Sequence, residues 1–181
     1  MSESADLVVV SDHGMSAVSD TRVVDLDTLI EPAKFTLPWS SKALVGLTPR
    51  PGRTAEVEAA LIGRHGAMQC WRKSEIPARF HYGNNPRIPP IFCMADPGWM
   101  IVSAARPDHY SAAGAHGFDP DDPSMAALFV AHGPSFRHGL EIAAFDNVNV
   151  YQMVMHILAI PSELNEGDLA VLRPALRRPA K

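Results

Sequence analysis

The sequence predicts an α/β protein, a mixed sheet covered by helices with a β-hairpin as an excursion from it. Three observations support that class. A short β-branched run, Leu7-Val8-Val9-Val10, stops at Asp12-His13-Gly14, as a buried strand does where an open α/β sheet collects its ligands. Helical periodicity follows Thr54 and again follows Asn147. Between them lie short apolar runs bounded by Gly, Pro, Asn and Asp.

In chain order, Leu7 to Val10 is apolar throughout rather than alternating, the pattern of a parallel strand covered on both faces. Ser16 to Asp20 is a polar turn, and Arg22-Val23-Val24-Asp25-Leu26 reads as a second strand. Residues 27–53 contain Pro32, Pro38, Pro49 and Pro51, so they predict surface connection with one strand, Ala43 to Leu47. Thr54 suits a helix N-cap, with Glu56 and Glu58 where the helix dipole favours acids. Val57, Ala59, Ala60 and Leu61 give that helix its apolar face, and Gly63 or Gly66 should end it.

Gly66 to Lys73 predicts a strand carrying Cys70 and Trp71, closed by Pro77. The prolines and the Asn84-Asn85-Pro86 turn exclude regular structure from residues 80–90. Ile91 to Ala95 and Trp99 to Ser103 flank Asp96-Pro97-Gly98 and predict the hairpin. A loop over residues 104–125 precedes a buried strand from Ala126 to Ala131, closed by Gly133-Pro134. Asn147 should cap a helix running to about Ile160, with Val148, Tyr151, Met155 and Leu158 on one side. One domain spans residues 1–172, and a frayed basic tail, 173–181, carries Arg173, Arg177, Arg178 and Lys181.

With 181 residues and 46% apolar content, the chain can bury a core as one domain. A net charge of −4 and no basic face give no support to binding of a nucleic-acid polymer. No apolar run approaches a membrane span, and Met1 to Asp6 is too short and polar for a signal peptide. Two cysteines, Cys70 and Cys93, make no disulfide framework and predict free, buried thiols. A chain that opens directly on its best motif is expected to lack an upstream part. The face that part would bury, beside Val8 to Val10, is then expected to be exposed and to drive self-association or partner binding.

Asp12 and His13, side by side on a turn freed by Gly14, can both reach one divalent metal; a turn bonded only to backbone explains the triplet equally well. His116, between Gly114 and Gly117, adds an imidazole in a loop with room for close approach. Together the three form an oxygen-and-imidazole set that suits zinc. Separate strand ends of one sheet converge, so the three are expected together at the carboxyl ends of strands. His65, His109, His132, His138 and His156 read as solvated or packing residues. His81, Asn84, Asn85 and Arg87 form either a phosphate-binding loop or, the favoured reading, a turn with internal hydrogen bonds.

Several stretches occur in a telling order: Val10-Ser11-Asp12-His13-Gly14-Met15, Phe80-His81-Tyr82-Gly83-Asn84-Asn85-Pro86-Arg87-Ile88, Ala95-Asp96-Pro97-Gly98-Trp99 and Gly114-Ala115-His116-Gly117-Phe118-Asp119. Met125-Ala126-Ala127-Leu128-Phe129, Gly133-Pro134-Ser135-Phe136 and Asn147-Val148-Asn149-Val150-Tyr151 follow. From about residue 7 to residue 167 the chain resembles the carboxy-terminal half of a type I phosphodiesterase/nucleotide pyrophosphatase, in the alkaline phosphatase superfamily.

The resemblance implies an alkaline-phosphatase-like sheet and a two-zinc site that cleaves phosphodiester or pyrophosphate bonds of nucleotides through a phosphothreonine or phosphoserine. Asp12 and His13 match the ligands of the zinc beside the nucleophile, and His116 matches a ligand of the other zinc. Members of the family are often secreted, periplasmic or membrane-anchored. The family's nucleophile and its Asp-x-x-x-His pair belong upstream of Asp12 and have no counterpart here, since no histidine has an aspartate four positions earlier. Half of the implied protein ligands are therefore present, and zinc should bind weakly. Ser11 adjoins the metal pair but does not stand at the family's nucleophile position. The competing reading is a non-catalytic binding or structural module that keeps the carboxy-terminal half of the fold.

Overall fold

A computed structural model describes residues 5–106 and 114–177. In chain order the elements are β1 (Leu7–Val10), β2 (Ser16–Ala17), β3 (Val23–Asp25), β4 (Phe35–Ser40), β5 (Leu44–Pro49) and α1 (Thr54–Leu61). They continue with β6 (Gly63–His65), β7 (Met68–Arg72), β8 (Ile91–Ala95), β9 (Met100–Val102), β10 (Gly114–Ala115), β11 (Phe129–His132), α2 (Asn149–Ile157) and α3 (Leu169–Leu172). The fold is mixed α/β. The chain divides into two compact units, one built on His13–Ala126 and the other on the residues before and after that span.

The His13–Ala126 unit contains a five-stranded antiparallel sheet in the order β4-β5-β8-β7-β6. Its central strand β8 is buried at all five positions. Ile91, Cys93 and Ala95 belong to a core with Val45, Leu47, Met68 and the Val57 and Leu61 face of α1. Phe92 and Met94 join Ile76, Trp39, Trp71 and Phe80 in a second cluster. Successive residues of a strand point to opposite faces, so a strand covered on both sides reads as an unbroken apolar run.

Several expectations are corrected here. The Asp96-Pro97-Gly98 turn forms, with Trp99 N–H donating to Asp96 O (2.9 Å) and Gly98 at φ +84°, as a Pro-Gly turn of type II requires. It does not close a hairpin between its flanking strands. β8 pairs with β5 and β7, whereas β9 pairs in parallel with β3. The 27–53 segment holds two strands rather than one, because β4 accommodates Pro38 on the sheet edge at a register shift between Thr36 and Trp39. Thr54 is the first helical residue rather than the cap, and Arg53 in the cap position makes no side-chain capping bond.

Cys70 and Cys93 are not free thiols. They stand directly opposite each other on β7 and β8 and form a disulfide. Counting cysteines could not reveal this, because the strand register, not the sequence spacing of 23, brings them together.

In the other unit β1 pairs antiparallel with β11, from Leu7↔His132 to Val10↔Phe129, instead of lying parallel to a neighbour. Val8, Phe129 and Ala131 pack on a core of Phe136, Met153, Leu172 and Leu176. Leu7, Val9 and Val130 alternate to the opposite face and are 60%, 45% and 52% exposed. Helix α2 is capped by Val148 without a side-chain bond, so Asn147 is not the cap. The expected frayed tail is structured through Arg177: a 3-10 turn spans Arg173–Ala175 and Leu176 bridges to Phe136. No helix among the described residues is long and apolar enough to cross a membrane.

Candidate metal centre

The chain leaves β1 through Ser11, which is tied twice to one residue. Ser11 N–H donates to Leu128 O (3.0 Å), and Ser11 Oγ accepts from Leu128 N–H (2.7 Å). That hydroxyl thus serves as a structural acceptor. The next residue, Asp12, is exposed, and its carbonyl accepts from Asn147 Nδ2 (2.7 Å).

His13 is half-buried, with Nδ1 2.8 Å from Gly14 O. A carbonyl can only accept, so Nδ1 carries the hydrogen and the ring lone pair sits on Nε2. A backbone carbonyl fixing the tautomer in this way is typical of metal-ligating histidines. Gly14 N–H donates to Met125 O (2.9 Å). A Cβ on Gly14 would collide with the carbonyl oxygens of Ser124 and Ala126, so only glycine allows this close passage.

His116 follows β10, whose Ala115 pairs with Ser16 of β2. That pairing carries the segment after Met15 alongside the His116 loop. The rings of His13 and His116 stack with centroids 3.8 Å apart and planes 14° apart. The loop beyond His116 is held by Arg79. Its Nη1 donates to Asp119 Oδ1 and to Asp121 Oδ2, both at 2.7 Å, and its Nη2 bonds the other Asp119 oxygen. Hydrogen bonding from Arg79 holds the Asp119 carboxyl below its ordinary range, against the opposing effect of burial.

Sequence reasoning passed over the bonds that join Arg79 to Asp119 and Asn147 to Asp12. The available signal was position: Arg79 adjoins the Phe80–Ile88 stretch, and Asp119 and Asn147 lie inside family-like stretches. The remaining candidates are placed plainly. Asn85 Oδ1 accepts from Arg87 N–H (3.0 Å), Asn85 O accepts from Lys73 Nζ, and His81 ends the 3-10 turn Ala78–Phe80 at φ +48°. This segment is a turn with internal hydrogen bonds. His65 Nε2 donates to Leu61 O (2.9 Å), His132 meets His138 edge to face, and His156 is exposed on α2. His109 lies outside the described residues.

Among the described residues no three His, Cys, Asp or Glu side chains are grouped to hold a metal ion. The structure brings His13 and His116 together as a pair of imidazoles, with a carboxylate-bearing residue next to His13 in sequence.

The family model for type I phosphodiesterase / nucleotide pyrophosphatase matches residues 1–119. Ectonucleotide pyrophosphatase/phosphodiesterase family member 7 of Homo sapiens is 36% identical over 182 residues, covering 97% of this chain and 39% of the relative. The bis(5'-adenosyl)-triphosphatase of Xenopus laevis is 36% identical over 168 residues, covering 93% and 36%. Among solved structures, murine family member 5 aligns with a TM-score of 0.90 at 33% identity, covering 97% of this chain and 46% of that one. An inactive form of the murine protein in complex with AMP aligns with a TM-score of 0.88 at 33% identity, covering 95% and 45%. The chain thus spans less than half the length of each of these relatives.

Proposed function

Because this chain belongs to the type I phosphodiesterase/nucleotide pyrophosphatase family, we propose that it forms part of a hydrolase of nucleotide phosphodiester or pyrophosphate bonds. In this proposal Asp12 and His13 are ligands of one zinc ion and His116 of a second. The stacked His13–His116 pair is the observation that carries it.

The donor types fit zinc, which takes imidazole nitrogen and carboxylate oxygen. Their number falls short of two complete sites within these residues, so zinc binding is weak. When bound, two such ions stabilise both the attacking and the leaving oxygen of an in-line displacement. The chain's own contributions are positional. The Gly14–Met125 bond and the Gly14 carbonyl set the His13 ring, and the Arg79–Asp119 bridge steadies the segment that follows His116. A nucleotide as substrate is supported by the AMP complex of the murine relative.

In this reading the nucleophile comes from outside the described residues, so turnover requires a complementary amino-terminal portion, in the same polypeptide or supplied in trans. The test combines zinc titration with hydrolysis of a chromogenic phosphodiester. Without the complement, the rate should fall by about 10⁶, as when a covalent catalyst loses its nucleophile. Activity should appear with the amino-terminal portion of a family member and disappear in Asp12→Ala or His116→Ala. Robust zinc-dependent turnover by these residues alone would overturn the proposal. The competing reading is a non-catalytic binding or structural module that keeps the carboxy-terminal half of the fold. Nucleotide binding that persists without any activity on complementation would favour it.

A further inference from the structure

The segment 73–90 runs from β7 to β8 as a strap, closed at its base where Lys73 N–H donates to Pro90 O (2.7 Å). Gly83, at φ +120°, passes so close to Lys73 that a Cβ there would stand 3.0 Å from the Lys73 carbonyl oxygen, a path that suits glycine alone. Two cations then meet at one residue. Lys73 Nζ donates to Asn85 O (2.5 Å), and Arg87 Nε donates to Asn85 Oδ1 (3.4 Å). An ammonium has three donors and a guanidinium five, so these bonds leave most of them unspent. Among the described residues no carboxylate pairs with Lys73 or Arg87. The charges of Arg72 and Arg79, by contrast, are met by Glu58, Glu75, Asp119 and Asp121. Tyr82, one residue before Gly83, packs its ring on Phe92 with centroids 5.3 Å apart and stays 38% exposed.

We propose that this strap is a docking surface for a mononucleotide, with the phosphate held by Lys73 and Arg87 and the base stacked on Tyr82. Charge complementarity selects the occupant. The neighbouring carboxylates are already engaged by Arg72 and Arg79, so the two cations at Asn85 are left to balance an anion. Hydrogen bonds from ammonium and guanidinium groups to phosphate oxygens are among the strong ones, and the planar arginine fork matches phosphate geometry. The half-exposed ring adds a face on which a base stacks, whichever base it is. Inorganic phosphate or a phosphorylated peptide would use the cations and leave Tyr82 idle, whereas a mononucleotide uses both. All of these residues belong to the His13–Ala126 unit, and no metal ion takes part.

The test is titration of the full chain with AMP, inorganic phosphate and adenosine in the presence of EDTA, followed through the ¹⁵N amide resonances of Tyr82, Gly83 and Asn85. AMP should bind more tightly than either of its parts. Lys73→Gln and Arg87→Gln should each weaken AMP and phosphate about 10-fold and leave adenosine unmoved. Tyr82→Ala should weaken AMP and adenosine about 10-fold and leave phosphate unmoved, while Tyr82→Phe, which keeps the ring, should bind AMP as the parent does. Arg50→Gln is the control, since it removes another exposed arginine of the same unit and should leave AMP affinity unchanged. An equal loss in Arg50→Gln and Arg87→Gln would mean attraction by net charge alone, and would overturn the proposal. Equal affinity for AMP and phosphate, with no effect of Tyr82→Ala, would mark a simple anion site and overturn it too. So would AMP binding that leaves the three strap amides unshifted.

Discussion

The two compact units differ in how completely each covers its own apolar surface. In the His13–Ala126 unit the central strand β8 sends Ile91, Cys93 and Ala95 into one core and Phe92 and Met94 into another. Only Met15 and Tyr82 are large apolar residues left exposed there among those described. The other unit buries Phe136, Met153, Leu172 and Leu176, but leaves Leu7, Val9, Leu128, Val130, Leu158, Ile160 and Leu164 exposed. A two-stranded sheet is marginal by itself, and a bare apolar face marks an interaction surface. The first unit draws both clusters that cover its sheet from its own residues. The second leaves Leu7, Val9 and Val130 exposed on one side of the β1–β11 pair.

The largest effect expected from that contrast is in the five-stranded sheet. Leu47→Ala, at a fully buried position, should destabilise the chain by about 4 kcal/mol in urea unfolding. Val130→Ala, at a position 52% exposed, should change stability by no more than about 0.5 kcal/mol. Similar losses for the two would mean that the exposed face is buried in solution, most simply by another copy of the chain.

Next in size is the disulfide. Cys70–Cys93 closes a loop with a sequence separation of 23 inside the first unit, so its reduction should lower unfolding stability by about 3 kcal/mol. The loss should be read by urea unfolding with and without dithiothreitol, and it should vanish in a Cys70→Ala/Cys93→Ala double variant. A reductant effect that survives in the double variant would show that it does not act through this bond.

How much of this was legible depended on whether a feature is written locally. β8 and α1 could be read because an unbroken apolar run and a helical period are properties of neighbouring residues. Strand β4 was hidden by Pro38, which a sheet edge tolerates at an irregular register but which reads as a breaker. The direction of β1 and the exposure of one of its faces were unreadable, since Val8-Val9-Val10 signals a strand and says nothing about which way its partner runs or what covers it. The same limit hid the cysteine pairing and sent β9 to β3 rather than back to β8. Asp12, His13 and His116 are proposed from residue type beside glycines, and the stack of the His13 ring on the His116 ring is written in no local pattern. The Arg79–Asp119 bridge and the Asn147–Asp12 bond join residues far apart in sequence and leave no local pattern.

A smaller effect concerns association rather than folding. Val9→Lys with Val130→Lys places charge on the bare face of the β1–β11 sheet, where the two residues are directly paired. The parent chain should self-associate as concentration rises in sedimentation, and the double variant should remain monomeric, since charge on an exposed strand face opposes association. A parent chain that stays monomeric over a wide concentration range would remove the contrast between the units.

The smallest effect tests how the His116 loop is held. Arg79 keeps the folded-state pKa of Asp119 below its ordinary value of 3.8, chiefly through its hydrogen bonds. A carboxyl whose pKa is lower folded than unfolded binds its proton more readily in the unfolded chain. It therefore stabilises the fold above the unfolded pKa, and loses that contribution as pH falls through the depressed folded value. Both partners are partly solvent-exposed, so screening keeps the contribution small. At neutral pH, Arg79→Ala should be slightly less stable than the parent, and the gap should close as pH drops below the ordinary carboxylate range. The Asp119 side-chain carboxyl, followed by ¹³C NMR, should titrate at a higher pH in the variant. If the gap persists unchanged in acid, Arg79 acts through its packing over the Phe80 ring, 4.2 Å from the centroid, rather than through the carboxylate.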